Sequence, residues 1–356
     1  MPSSLLRGTA AGKRTKLDCS GLQCHALPMD HVLSARYATT GKPSEVVLCD
    51  RISLPPPGRG EAQVRMIHAP INPADLNMLE GKYGEARPLP DTPGNEGLGE
   101  ILAIGKGGPP SLVGQRVLVG SEAWRTHGNW RIEDLLVVPP GIDDRHACML
   151  RVNPPTAWLL LHHFTALQPG DWIVQNAATS GVGRAVMEIA GSAGWKTLNI
   201  VRNPQAADTL RSLGANAVLA DTSALAAQAA EILGSARPRL GLNAVGGSSA
   251  TRVAGLLANG ATLATYGAMS REALKIPNGF LIFRDIAFRG FWLTQWLRRA
   301  SAAERDRVSS EVFRLAAKGL FAPRVAAEFP LEKVREAVAL AASGTAGGKV
   351  LLRLRD

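Results

Sequence analysis

Between Asn176 and Val186 the chain reads NAATSGVGRAV. Aligned on the G-x-G-x-x-G pattern, the three key positions hold Ala178, Ser180 and Gly183. The strict pattern fails, yet a small residue stands at each point. A tight turn, close backbone approach to a pyrophosphate and a helix N-terminus aimed at negative charge need small side chains and free N–H groups. A plain strand-to-helix turn would meet the same steric demand, so the context decides. The strand-like DWIVQNA precedes the turn, and a helix with Val186, Ile189, Ala190 and Ala193 on one face follows it; together they open a βαβ unit of about 30 residues. An enzyme using NAD would place Asp or Glu about 20 residues beyond the glycines, to bind the ribose 2′-hydroxyl. Here Arg202 stands instead, in NIVRNPQ. A guanidinium matches a 2′-phosphate by charge and by its fork of donors, which points to NADPH; a solvent-facing Arg is the plain alternative.

The elements that must position these groups fall into two grammars. From about Val32 to Pro140, short β-type runs are broken by Gly and Pro: EVVL at Glu45 to Leu48, then Ala62 to Ala69, Gly99 to Gly105, Gln115 to Gly120 and Asp134 to Pro139. This spacing suggests a small barrel or sandwich. Pro73 suits the first position of a short helix in NPADLNMLEG. From about Pro154, buried strands alternate with amphipathic helices, with Asn203 and Pro204 capping the second helix. Strict alternation argues an α/β fold with a doubly wound parallel sheet. The tail adds helices around Val308 to Lys318 and Leu331 to Ala342 and a final strand, KVLLRL. That strand needs a sheet, and pairing with the first half would make the nucleotide-type unit an insertion.

At 356 residues and about 150 per domain, two units are expected. Hydrophobic residues make up 46% and charged residues 20%, which argues against wholesale disorder. No apolar run approaches the roughly 18 residues of a membrane span. Cys19, Cys24, Cys49 and Cys148 are too few and too uneven for a disulfide framework, so a reducing compartment is expected. A net charge of +10 favours nucleic acid, anionic membrane or a polyanionic small molecule as partner. With no Lys/Arg block of five, a solvated basic surface is the plain reading. Residues 1 to 17 hold Arg7, Lys13, Arg14 and Lys16 and no acid, the composition of a mitochondrial presequence, or of a basic tail without an address.

Seven segments in order carry a family resemblance: APINPADLNMLEGKYG (Ala69 to Gly84), GNEGLGEI (Gly94 to Ile101), VNPPTAW (Val152 to Trp158), QNAATSGVG (Gln175 to Gly183), LNIVR (Leu198 to Arg202), YGAM (Tyr266 to Met269) and FRGFWLTQW (Phe288 to Trp296). The chain resembles the mitochondrial trans-2-enoyl thioester reductases of the zinc-independent medium-chain dehydrogenase/reductase superfamily. The resemblance implies a presequence over 1–31, a GroES-like β-rich catalytic domain over 32–153 and 297–356, and a Rossmann NADPH-binding domain over 154–296. It implies NADPH-dependent reduction of enoyl thioesters, carried by acyl-carrier protein or CoA, in mitochondrial fatty acid synthesis in the matrix. A homodimer without nucleic acid or membrane span is implied too. Tyr83 matches the catalytic tyrosine, and a phenol is a proton donor at neutral pH. By the same resemblance Asn153 faces the nicotinamide, and Thr179, Ser180, Gly181 and Val182 hold the pyrophosphate. Arg202, Asn203 and Pro204 hold the adenosine phosphate. Tyr266, Gly267, Ala268 and Met269 cover the cofactor, Phe291, Trp292 and Leu293 form a wall near the nicotinamide, and Lys349 adds a late contact. Judged by sequence alone, the aromatics would pass as core and Lys349 as a solvated charge.

Two departures matter. Zinc-dependent relatives carry His where this chain has Asn95, and they keep four closely spaced cysteines. Neither feature is present, so no metal is expected. Ala268 stands where close relatives often have a second Gly. An apolar acyl channel is implied, but the sequence does not trace it. Two other functions compete: a zinc-free NADPH reductase of quinones or free enones, and a catalytically dead nucleic-acid-binding protein, against which the absence of RNA-type aromatic motifs speaks.

Overall fold

The computed structural model describes residues 29–355. The basic stretch 1 to 17, Cys19 and Cys24 lie outside them. The first half contains β1 (Met29–Arg36), α1 (Pro43–Val46), β2 (Leu48–Leu54), β3 (Glu61–Pro70), α2 (Pro73–Leu79), β4 (Gly97–Ile104), β5 (Arg116–Val119), β6 (His127–Arg131), β7 (Leu136–Val137) and α3 (Asp144–Ala147). The alternating part follows with α4 (Asn153–His163), β8 (Trp172–Gln175), α5 (Gly181–Ser192), β9 (Lys196–Val201), α6 (Ala207–Ser212), β10 (Ala217–Ala220), α7 (Leu225–Leu233), β11 (Leu240–Asn243), α8 (Gly247–Gly255), β12 (Thr262–Thr265), α9 (Asn278–Ile282), β13 (Ala287–Gly290) and α10 (Leu293–Arg299). The tail supplies α11 (Ala302–Ala316), β14 (Val325–Pro330), α12 (Val334–Ser343) and β15 (Lys349–Arg353).

The alternating part builds a six-stranded sheet in the order β10-β9-β8-β11-β12-β13, with every pairing parallel. That order reverses at β8, the topological switch point where doubly wound sheets bind ligands at the carboxyl ends of their strands. The β-rich part forms a seven-stranded sheet in which β15 pairs antiparallel with β3 and parallel with β14. The C-terminal strand thus closes the sheet of the first half, and the parallel sheet is inserted between. One apolar cluster spans the two: Leu118 and Leu351 from the β-rich sheet join Leu160, Val186 and Leu242, together with Val312 and Leu315 of α11. Helix α11, expected to follow the first half, packs with α4.

Several local expectations need correction. Of the run Glu45 to Leu48, only Leu48 is strand, as the first residue of β2. Pro43 starts a single helical turn, and Arg335 caps it by donating to the Val47 and Glu45 carbonyls. The strand expected over Asp134 to Pro139 shrinks to Leu136–Val137 behind a 3-10 turn. Met29, inside the segment 1–31 given to a presequence, pairs with Leu54 in β1 and β2. Strand β6, missed because His127, Gly128 and Asn129 are poor strand formers, is recruited by tertiary pairing to β3.

Candidate active site

The expected cofactor residues lie at the carboxyl ends of the parallel strands. In the turn after β8, Ala177 takes a left-handed φ of 49°, so the strained position falls one residue before Ala178, where the pattern had put the first glycine. Gly183 is where lack of a side chain is required: a Cβ there would sit 2.7 Å from the Ala177 and Ala178 carbonyl oxygens. Ser180 caps α5, its Oγ accepting from Gly183 N at 3.0 Å. The first N–H groups of α5, at Gly181 and Val182, are thereby left facing outward, as an anion site requires. Exposed Thr179 precedes them.

Arg202, Asn203 and Pro204 follow β9 and are exposed, and Asn203 Oδ1 caps the next turn by accepting from Gln205 N at 3.0 Å. The loop Tyr266, Gly267, Ala268 and Met269 follows β12, pinned by Met269 N donating to the Ala244 carbonyl at 2.9 Å. The Tyr266 hydroxyl is buried beside Ser180 without a well-formed hydrogen bond, and burial pushes its pKa up. A buried hydroxyl lacking a partner costs free energy unless a ligand or water meets it.

The structure joins Tyr83 to the wall segment. Trp292 Nε1 donates to Tyr83 Oη at 3.0 Å, with the two rings edge to face at 5.9 Å. On either side of Tyr83, Glu80 accepts from Arg271 and Glu85 accepts from Arg298, each at 2.6 Å. These three contacts run from the β-rich half to the parallel-sheet half. Exposed ion pairs contribute only about 0 to 1 kcal/mol each, so this clasp between the halves is weak. Phe291 packs edge to face on Phe164 at 6.2 Å, and so belongs partly to the core; Leu293 begins α10.

Beneath the cleft lies a buried polar network. Asn72, Asp75 and Glu96 are nearly inaccessible, at 2%, 0% and 0% exposure. Lys349 Nζ donates to Asn72 Oδ1 at 2.6 Å, and Asn153 Nδ2 donates to the same oxygen at 3.3 Å. Asn153 also abuts the phosphate loop, because a Cβ on Gly181 would lie 3.0 Å from its Cγ. Asp75 accepts from Asn72 N and from both the backbone and side chain of Asn95. Asn95 is therefore committed to a carboxylate. Among the described residues no three His, Cys, Asp or Glu side chains converge as a metal set. Burial is the main cause that raises Glu96 to about 7 and Asp75 to about 6, and it lowers Lys349.

Asn153, Gly181 and Lys349 line one cavity of about 280 Å³, together with Arg184 and Arg324. Sequence reasoning missed these two arginines, and also Asn72 and Glu96. Asn72 had a usable signal, since Asn-Pro-x-Asp is a capping pattern; the arginines had none. A second cavity of about 390 Å³ lies between α4, α10 and α11, with Leu136, Leu150, Pro155, Leu297, Val312 and Phe313 on its walls. Arg298, on its rim, also lies over the Trp292 ring.

Comparison with known proteins places this site in a lineage. Residues 58–135 match the alcohol dehydrogenase GroES-like domain model, and residues 181–309 match the zinc-binding dehydrogenase model. The mitochondrial enoyl-acyl-carrier-protein reductase of Rattus norvegicus is 36% identical over 316 residues, covering 86% of this chain and 85% of that protein. Its Homo sapiens counterpart is 36% identical over 310 residues, covering 85% and 83%. The chain belongs to the enoyl-acyl-carrier-protein reductase family. Among solved structures, the mitochondrial 2-enoyl thioester reductase Etr1p/Etr2p heterodimer from Candida tropicalis superposes with a TM-score of 0.81 at 24% identity, covering 91% of this chain and all of that one. A structure described as an NADPH:quinone reductase from Bacillus thuringiensis reaches 0.86 at 25% identity, covering 91% and 99%. The shared architecture of the reductase family is therefore a GroES-like β-rich part plus a parallel-sheet nucleotide-binding part, as the sequence led us to expect.

Proposed function

We propose that the chain reduces the carbon–carbon double bond of trans-2-enoyl thioesters with NADPH, in mitochondrial fatty acid synthesis. Its relatives are named mitochondrial enoyl-acyl-carrier-protein reductases, and a structural neighbour is a complex of Etr1p with NADP and crotonyl-CoA. The observation that carries the reading is the Trp292 to Tyr83 hydrogen bond across the cleft.

The residues present fit the cofactor. The outward N–H groups of α5, the cations Arg184 and Arg324 on the cavity wall, Arg202 at the end of β9 and the partnerless Tyr266 hydroxyl suit a phosphorylated dinucleotide. NADPH, when bound, supplies a hydride to the β-carbon. The chain must then orient the thioester, provide a proton for the α-carbon and stabilise the charge that develops on the thioester oxygen. Because Tyr83 Oη already accepts the Trp292 N–H, its own O–H is left to donate into the cleft. The indole fixes the direction of that donor and shields it on one side. The cavity beside α10 and α11, whose walls mix Leu136, Leu150, Leu297 and Val312 with charged groups such as Arg151 and Arg305, offers room for the acyl chain, and the basic surface suits the acidic face of a carrier protein or the phosphates of CoA. The reading is tested by NADPH consumption with trans-2-enoyl-CoAs of several lengths against a quinone. Enoyl-CoA turnover should exceed quinone turnover by orders of magnitude; preference for the quinone would overturn the assignment.

We also place a homodimer contact at the β13 edge of the parallel sheet. Leu281, Ile282 and Phe283, at the end of α9, are 49%, 69% and 81% exposed beside that edge strand. An apolar patch next to an unpaired strand edge is unstable in water unless covered. Phe283→Asp should convert a dimer to a monomer in analytical ultracentrifugation. A chain that is monomeric before the substitution would refute the contact.

A further inference from the structure

We propose that Glu96 is a positioning residue that fixes the amide orientation of Asn72, and through it aims Lys349 and Asn153 into the cofactor cleft. Glu96 Oε1 accepts from Asn72 Nδ2 at 2.8 Å, while Oε2 accepts from Arg151 N at 3.0 Å and Val152 N at 2.8 Å. All three neighbours are donors, which suits a carboxylate: a protonated acid would have no acceptor for its O–H, and these bonds oppose the burial that raises its pKa. A carboxylate only accepts, and Asn72 must therefore turn its NH₂ toward it. The Asn72 oxygen then faces the other way, where it receives Lys349 Nζ and Asn153 Nδ2. Flipping that amide would set its NH₂ against an ammonium and a second NH₂, and its oxygen against a carboxylate. Only one arrangement satisfies every member, and the charge of Glu96 selects it.

The same carboxylate fixes Asn153 by a second route. Arg151 and Val152, whose N–H groups it binds, lead directly into α4, and Asn153 is the first residue of that helix. Glu96 thus sets both the place where Asn153 starts and the direction its amide faces. With Nδ2 turned to Asn72, the Asn153 carbonyl oxygen is offered toward the cavity it shares with Gly181. Lys349 commits one of its three N–H groups to Asn72 and lines the same cavity. Glu96 lines neither cavity itself; its effect reaches the cleft through Asn72 and through the start of α4.

The proposal rests on the NADPH half of the functional reading, and its test reads cofactor affinity rather than turnover. A glutamine at 96 cannot accept from Asn72 and from both backbone N–H groups without presenting its own NH₂ to one of them. Glu96→Gln should therefore weaken NADPH binding about 10-fold or more in a fluorescence titration, whereas Glu96→Asp, which keeps the charge, should stay within about 3-fold of the parent. Asn72→Ala should weaken binding to a similar degree. In the Asn72→Ala background, Glu96→Gln should cost less NADPH affinity than it does alone, because the route through Asn72 is already lost and only the one through the start of α4 remains. Penalties that add in full, or an unchanged affinity in either single variant, would overturn the proposal. Asn72→Ala leaves the bonds from Glu96 to Arg151 and Val152 in place, so it reads the Asn72 route by itself even where Glu96→Gln folds poorly. A wild-type chain that binds NADPH but reduces no enoyl thioester would refute the substrate assignment and leave this affinity test intact.

Discussion

Replacing Tyr83 by phenylalanine should leave NADPH affinity within about 2-fold of the parent and lower turnover of enoyl thioesters by about 10² or more. The phenylalanine ring keeps the edge-to-face packing on Trp292 and loses the hydroxyl that accepts its N–H. What disappears is the hydroxyl we propose as proton donor, and such groups contribute roughly 10²- to 10⁴-fold, or about 2.7 to 5.4 kcal/mol of barrier at 1.36 kcal/mol per decade. The clasp formed by Glu80 with Arg271 and Glu85 with Arg298 remains between the halves. The split is what identifies the role: a packing residue would lower affinity, stability and rate together. Steady-state kinetics beside an NADPH titration separate the two cases, and retained turnover would remove Tyr83 from the chemistry.

Replacing Arg202 by aspartate should weaken NADPH about 10²-fold or more while changing NADH affinity by less than about 3-fold. Arg202 is exposed at the end of β9, directly before the Asn203-capped turn, and among the described residues no side chain pairs with its guanidinium. A hydrogen bond to a charged group is worth roughly 1.5 to 3 kcal/mol, and reversing the charge adds repulsion against a 2′-phosphate. NADH lacks that phosphate and is indifferent to both terms. Titrating the two cofactors against the variant checks this directly; equal losses would show that Arg202 merely faces solvent.

The parts of this molecule that were legible in the sequence are those whose signals are local. Helix α5 declared itself through Val186, Ile189 and Ala190, all buried as that spacing requires, and the strand before it and the strand after it were equally plain. The strand-to-helix turn after β8 is readable despite its degenerate pattern, because Gly183 has to lack a side chain. Failures came where distant chain decides. Glu45 to Leu48 looks extended until Arg335, some 290 residues away, caps its carbonyls. Strand β6 has little propensity of its own and exists because β3 offers an edge. Glu96 is the sharpest case. Nothing in GNEG marks it, since its partners Asn72, Arg151 and Val152 lie 24, 55 and 56 positions away. Tyr83 was found through family resemblance, not through its flanking residues, and its bond to Trp292 spans 209 positions. Chemistry-bearing groups on loops are placed by the scaffold, and the scaffold is a non-local property.

The most direct measurement follows the hydrogens in a turnover of crotonyl-CoA with NADPH deuterated at its transferable position. The product should carry one deuterium at the β-carbon and, in heavy water with unlabelled NADPH, one solvent deuterium at the α-carbon. Deuterium from the cofactor at the α-carbon, or none in the acyl chain while NADPH is consumed, would contradict the account.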